Sequence, residues 1–182
     1  VKTYYFDDVE FVPGMGGGAF AAITFDNAAL TYTLTGFGGA ENSTVVVDPT
    51  NAANKVARMV KTNTAELWAG ATVSTGANNS VGTIPFAANA KTMNVRVWSP
   101  HAGIPVRLKV EDAADPTHSC ETEATVTIAN GWQNLTFNFA NQAAGTAALN
   151  LAFTFNKASI FFNFGTTGGV AGERTYYFDD VA

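Results

Sequence analysis

Residues 93–111 read MNVRVWSPHAGIPVRLKVE, and their alternation decides the fold. Met93, Val95 and Val97 interleave with Asn94, Arg96 and Trp98, while Val106, Leu108 and Val110 interleave with Arg107, Lys109 and Glu111. A period of two sets the apolar side chains of each strand against a core and the polar ones on the opposite face. Working outward, the same period marks residues 31–35, 43–47, 55–60, 122–128, 135–139, 149–155, 159–164 and 175–181, all rich in Val, Thr and Phe. Turn signals separate them: Asp48-Pro49, Asp115-Pro116, Asn130-Gly131 and the glycines of 165–172. No stretch carries helical periodicity. About ten short strands at this spacing predict an all-β chain, a two-sheet antiparallel β-sandwich of the jelly-roll kind.

Composition narrows the partners. A net charge of −5 and a pI near 4.8 argue against nucleic acid, which needs clustered Lys and Arg to neutralise phosphates. No apolar run reaches membrane-spanning length, so no membrane partner is expected. The single cysteine, Cys120, excludes an internal disulfide and reads as a small buried residue rather than a reactive thiol.

The heptapeptide TYYFDDV stands at residues 3–9 and again at 175–181, an offset of 172 (175 − 3). Two copies that far apart do not fit a short-period solenoid; they fit a cut through a tandem array of whole domains. The expected division is a terminal strand of a preceding repeat at 1–12, a Gly-rich linker at 13–18 and one complete module at 19–182. Two identical strands then compete for one slot. The C-terminal copy is expected to hold it, leaving the N-terminal copy without fixed structure or added to a sheet edge.

Several motifs carry a resemblance: Phe25-Asp26-Asn27, Asp48-Pro49-Thr50-Asn51, Glu66-Leu67-Trp68-Ala69-Gly70, Asn94 to Ser99, Gly131-Trp132 and the closing Phe178-Asp179-Asp180-Val181. Over residues 19–182 the chain resembles a β-jelly-roll carbohydrate-binding module. It is similar in style to families 4, 9, 16 and 22, and to modules repeated in secreted polysaccharide-handling proteins of marine bacteria. The resemblance implies a glycan held by aromatics on a concave sheet face, a calcium ion pinning the chain ends, and a secreted or cell-surface location. Polysaccharide and neighbouring repeats of the same chain are the implied partners.

For the calcium, Asp26, Asp48, Asn51, Asn54 and Asp179 offer the hard oxygens such an ion needs. The alternative is that Asp179 and Asp180 cap a strand end and pair with Lys55 or Arg58. For the glycan, alternation turns Arg96, Trp98, Arg107, Lys109 and Glu111 outward. Read as a strand, Glu66-Leu67-Trp68 buries Leu67 and turns Glu66 and Trp68 out. His101, just past Trp98 in the Ser99-Pro100 turn, is the candidate for the rim, with a solvated loop histidine as the competing reading. Flat indoles suit the C–H faces of pyranose rings, and charged groups suit their hydroxyls. The competing reading packs Trp68 and Trp98 under loops or against the second sheet. Trp132 is expected in the core.

Aligning Val110 with Thr122 sets Lys109 opposite Glu123 and Glu111 opposite Glu121, the latter an unfavourable like-charged pair. Glu111, Glu121 and Glu123 have a spacing compatible with a glycosidase. However, the Glu-x-Asp-x-x-Glu run of jelly-roll glucanases, the Gln-x-His strand of alginate lyases and a Gly-x-Ser-x-Gly elbow are all missing. The expectation is a non-catalytic binder. Its first-choice ligand is a β-1,3-glucan such as laminarin, and Arg96, Arg107 and Lys109 would also tolerate an anionic algal polysaccharide. The alternative from another class is a structural or adhesive spacer without a sugar site.

Overall fold

A computed structural model describes residues 20–182. Ten strands form two five-stranded antiparallel sheets: β1 (Thr33–Phe37), β2 (Thr44–Asp48), β3 (Asn51–Lys61), β4 (Gly70–Ser74), β5 (Thr92–Ser99), β6 (Pro105–Glu111), β7 (Ser119–Thr125), β8 (Gly131–Asn138), β9 (Lys157–Phe162) and β10 (Arg174–Asp179). One sheet has the order β1-β4-β9-β6-β7 and the other β2-β3-β10-β5-β8. The predicted all-β jelly-roll sandwich is therefore the observed fold. Its one α-helix among the described residues is the single turn α1 (Gly168–Ala171).

The core lies between the sheets and follows the alternation. Met93, Val95, Val97, Val106, Leu108 and Val110 are all buried. Tyr176 stacks on Phe162 with centroids 4.7 Å apart, and Phe178 meets Phe25 edge-on at 5.8 Å. Cys120 is buried, and burial pushes its thiol up to about 11. Thr122 enters the core because its hydroxyl has backbone partners, Asn138 O at 3.0 Å and Asn141 O at 2.9 Å.

Several expectations are corrected. Residues 149–155 are irregular, not a strand, and Gly70–Ser74 is a strand that the reading omitted. Residues 65–69 form a turn that buries Ala65 and Ala69, so Leu67 is exposed rather than core. The β6–β7 register lies two residues from the predicted one: Arg107 faces Glu123, Lys109 faces Glu121 and Glu111 faces Ser119. A shift of two preserves every side chain's face but changes its partner, so the like-charged pair does not occur. The C-terminal copy of the heptapeptide occupies β10, between β3 and β5, with Val181 bridged to Ile23. The calls on residues 1–18 lie outside the described residues.

Candidate functional site

The outer face of the β1-β4-β9-β6-β7 sheet carries two matched rows. Pairing carries Thr35, Thr72, Ser159, Lys109 and Glu121 across all five strands. One pair of residues along lie Phe37, Gly70, Phe161, Arg107 and Glu123. A Cβ on Gly70 would stand 2.7 Å from the Phe161 ring, so the missing side chain is what lets that ring lie across β4. Above these rows opens a groove of about 520 Å³, within the range of small-ligand sites.

Trp68 forms the groove's aromatic wall. It lies in the β3–β4 loop, is 46% exposed, and stacks on Phe37 with centroids 6.1 Å apart and planes inclined 19°. The fit depends on Gly38, whose φ of +66° is left-handed and whose added Cβ would come within 2.8 Å of the indole. Phe37 meets Phe161 edge-on at 5.6 Å, and Phe161 meets Phe164 at 5.8 Å.

The floor is polar and charge-matched. Arg107 bonds Glu121 and Glu123, each at 2.8 Å, while its guanidinium lies 3.6 Å from the Phe164 ring centroid. Glu111 receives Lys109 at 2.8 Å and Lys157 at 3.2 Å. The hydroxyls of Thr72 and Ser159 are hydrogen-bonded at 2.7 Å. The groove thus joins an exposed indole, backed by Phe37, Phe161 and Phe164, to donors and acceptors held in fixed positions.

Of the predicted glycan set, Trp68, Arg107, Lys109 and Glu111 line this groove. Glu66 is exposed in the neighbouring turn but does not line it. Trp98 and Arg96 are on β5, in the other sheet, and face away from the core. His101 follows β5 and accepts a 2.8 Å hydrogen bond from Arg174 Nε. The expected bed of two indoles on one sheet is therefore corrected: Trp68 and Trp98 stand on opposite outer surfaces. Phe37, Lys157, Ser159 and Phe161 were missed, although alternation from Ile160 and Phe162 would have turned Ser159 and Phe161 outward.

The far surface has its own cluster. Trp98 pairs across the ladder with Trp132 and with Tyr177. The Tyr177 ring meets Trp98 at 5.5 Å and Trp132 at 6.5 Å. Trp132, expected in the core, is instead on this outer face, where its indole N–H donates to Thr50 Oγ1 at 3.0 Å. These rings cover one another, and Arg96 lies 3.9 Å over Trp132.

Arg96 also links the residues named for calcium. It reaches Asp48 at 3.6 Å and Asp179 at 3.3 Å, and Asn54 Nδ2 donates to both carboxylates, at 3.4 and 3.0 Å. Asp26 and Asn51 each accept a backbone N–H instead, from Lys55 and Ala53. Burial pushes the Asp48 carboxyl up, but Thr50, Asn54 and Arg96 together outweigh it and hold the group below the usual aspartate range. Burial raises Asp179 above that range despite Asn54 and Arg96, and its Oδ1 has no partner. Asp48, Asn54 and Asp179 thus come together, with the Arg96 guanidinium supplying positive charge between the two carboxylates. Among the described residues no group of three or more His, Cys, Asp or Glu is arranged to hold a metal.

No protein-family profile and no curated protein matches the chain. Solved structures do. A mutant family 29 carbohydrate-binding module complexed with mannohexaose aligns with a TM-score of 0.51 at 9% identity, over 90% of this chain and 89% of that one. The family 11 module of a cellulosomal cellulase of Clostridium thermocellum aligns with a TM-score of 0.52 at 11% identity, over 92% and 94%. An exo-β-agarase aligns with a TM-score of 0.54 at 11% identity, over 90% of this chain but only 25% of its own length. The chain therefore shares with these carbohydrate-binding modules the two-sheet jelly-roll β-sandwich.

Proposed function

We propose that the chain is a non-catalytic polysaccharide-binding module whose site is the groove bounded by Trp68. The observation that carries this reading is a half-exposed indole beside a row of fixed polar groups. A glycan laid on Trp68 and extended along the groove would carry its further rings past Lys109 and Glu121. The fold neighbours, named for mannohexaose and for a cellulase module, support a glycan as ligand. So does a family 11 module complexed with a β-1,3-1,4-mixed-linked tetrasaccharide, which aligns at a TM-score of 0.50 and 12% identity, over 90% of this chain and 95% of its own. Ion pairing occupies Glu111, Glu121 and Glu123, which argues against a free acid–base pair in the groove.

A β-1,3-glucan such as laminarin remains the first choice, with mixed-linkage glucan and mannan as close alternatives. A secreted module repeated along a longer chain is the setting in which weak single sites gain avidity. A structural calcium rests on the resemblance alone; it would have to use Asp48 and Asp179 in competition with Arg96. Affinity electrophoresis against laminarin, mixed-linkage glucan, xylan, mannan and alginate tests the binding reading. Retardation on at least one is expected, and migration unchanged on every gel would leave a spacer.

A further inference from the structure

Every charged side chain lining the groove already has a partner of opposite sign. Lys109 and Lys157 reach the same carboxylate from two strands, at 2.8 and 3.2 Å: Lys109 from two residues along β6, Lys157 from the paired position on β9. Among the described residues, Glu111 is the only acid within 4.0 Å of either ammonium. Its side chain is 8% exposed, so its charge is set into the floor, while each lysine side chain keeps 24% of its surface in solvent. The trio of Arg107, Glu121 and Glu123 has the opposite balance, and Lys109 stands opposite Glu121 in the ladder. Three cations and three carboxylates thus form one neutral network across β9, β6 and β7.

We infer that Glu111 is a specificity-determining residue that masks Lys109 and Lys157 and so confines the groove to uncharged glycans; this rests on the reading of the groove as a polysaccharide site. The mask acts on charge and leaves hydrogen bonding open. An ammonium has three N–H donors and a carboxylate about four acceptor positions. Each lysine spends one donor on Glu111, so sugar hydroxyls can accept from the remaining N–H groups and donate to the free lone pairs of the carboxylate. A uronate carboxylate meets a different situation. To bond either ammonium it must come beside Glu111, a like charge, or displace Glu111 and leave a buried carboxylate unpaired. Either course costs more than the new contact returns. Arg107 offers no alternative, since two carboxylates hold it, Phe164 covers its guanidinium at 3.6 Å and its side chain is 12% exposed. The groove therefore lacks the tolerance for an anionic polysaccharide that Arg107 and Lys109 suggest in the sequence.

The test is affinity electrophoresis and calorimetric titration of the 182-residue chain with alginate, a polyuronate. Wild type should migrate on alginate as on a sugar-free gel. So should Glu173→Gln, which removes one exposed negative charge just before β10, in the other sheet. Glu111→Gln frees both lysines and should gain alginate affinity about tenfold at low salt, as one charge-assisted hydrogen bond allows. The gain should vanish at about 1 M salt, where the Debye length is about 3 Å. Glu111→Gln/Lys109→Gln keeps the wild-type net charge but leaves Lys157 without its acid, so it should gain alginate binding too. It also buries less unbalanced charge, and it carries the test if circular dichroism finds the single variant unfolded. Retardation of wild type on alginate, no gain in the folded variants, or an equal gain in Glu173→Gln would overturn the inference. Failure of the polysaccharide reading shows elsewhere, as unchanged wild-type migration on laminarin, mixed-linkage glucan, xylan and mannan.

Discussion

Replacing Trp68 by alanine should weaken glycan binding about tenfold and leave the fold intact. At roughly 250 Å² for a tryptophan side chain, the 46% that is exposed amounts to about 115 Å². A sugar ring covers one face, so about 55 Å² leaves water. At ~25 cal/mol/Å² that is ~1.4 kcal/mol, a factor of about ten in Kd. The ring lies outside the core, leaning on Phe37 and Gly38, so its loss should move the melting midpoint little. Calorimetric titration with the oligosaccharide of whichever polysaccharide retards the module measures the change. Trp98→Ala in parallel should bind as wild type, since that ring is on the other sheet. Wild-type affinity in Trp68→Ala, or loss of binding in Trp98→Ala alone, would refute the assignment of the groove.

Three further expectations follow from the geometry. Gly38→Ala puts a Cβ within 2.8 Å of the indole at a left-handed φ of +66°; it should cost about 1–2 kcal/mol in a urea melt and reproduce the binding defect of Trp68→Ala. Arg96→Met leaves Asp48 and Asp179 without their guanidinium and, with Arg96 about a quarter exposed, should cost roughly 2 kcal/mol at neutral pH. The sign with pH is fixed: Asp48, held low, loses its stabilising contribution as pH falls through its native pKa, whereas Asp179, held high, destabilises only once ionised. The deficit of the variant should therefore shrink on acidification, and a deficit independent of pH would rule out the charge argument. With Arg96 already between the carboxylates, the melting midpoint should be the same in EDTA and in calcium; a rise with calcium would show that the ion finds ligands the guanidinium does not satisfy.

Alternation made the strands legible, and with them the core. It could not say which sheet a strand joins. Asn94, Arg96 and Trp98 face outward, as do Arg107, Lys109 and Glu111, yet the chain crosses between sheets after Ser99, so the two outward sets lie on opposite surfaces. Trp68 was legible as a ligand candidate for a reason that did not hold. It is exposed because Ala65 and Ala69 pull a turn inward, not because a strand alternates there. The charge pairing of the groove was illegible because the loop at 112–118 sets the β6–β7 register, and a slip of two residues leaves no mark on the apolar pattern.

The separation of the three tryptophans has a spectroscopic consequence. Only Trp68 borders the groove, while Trp98 and Trp132 sit in a shared shell of Tyr177 and Arg96 on the reverse side. Intrinsic emission during a sugar titration should therefore be a steady background from two indoles with one responsive fluorophore upon it. That responsive component should be quenchable by iodide in the free module and shielded once the groove is filled.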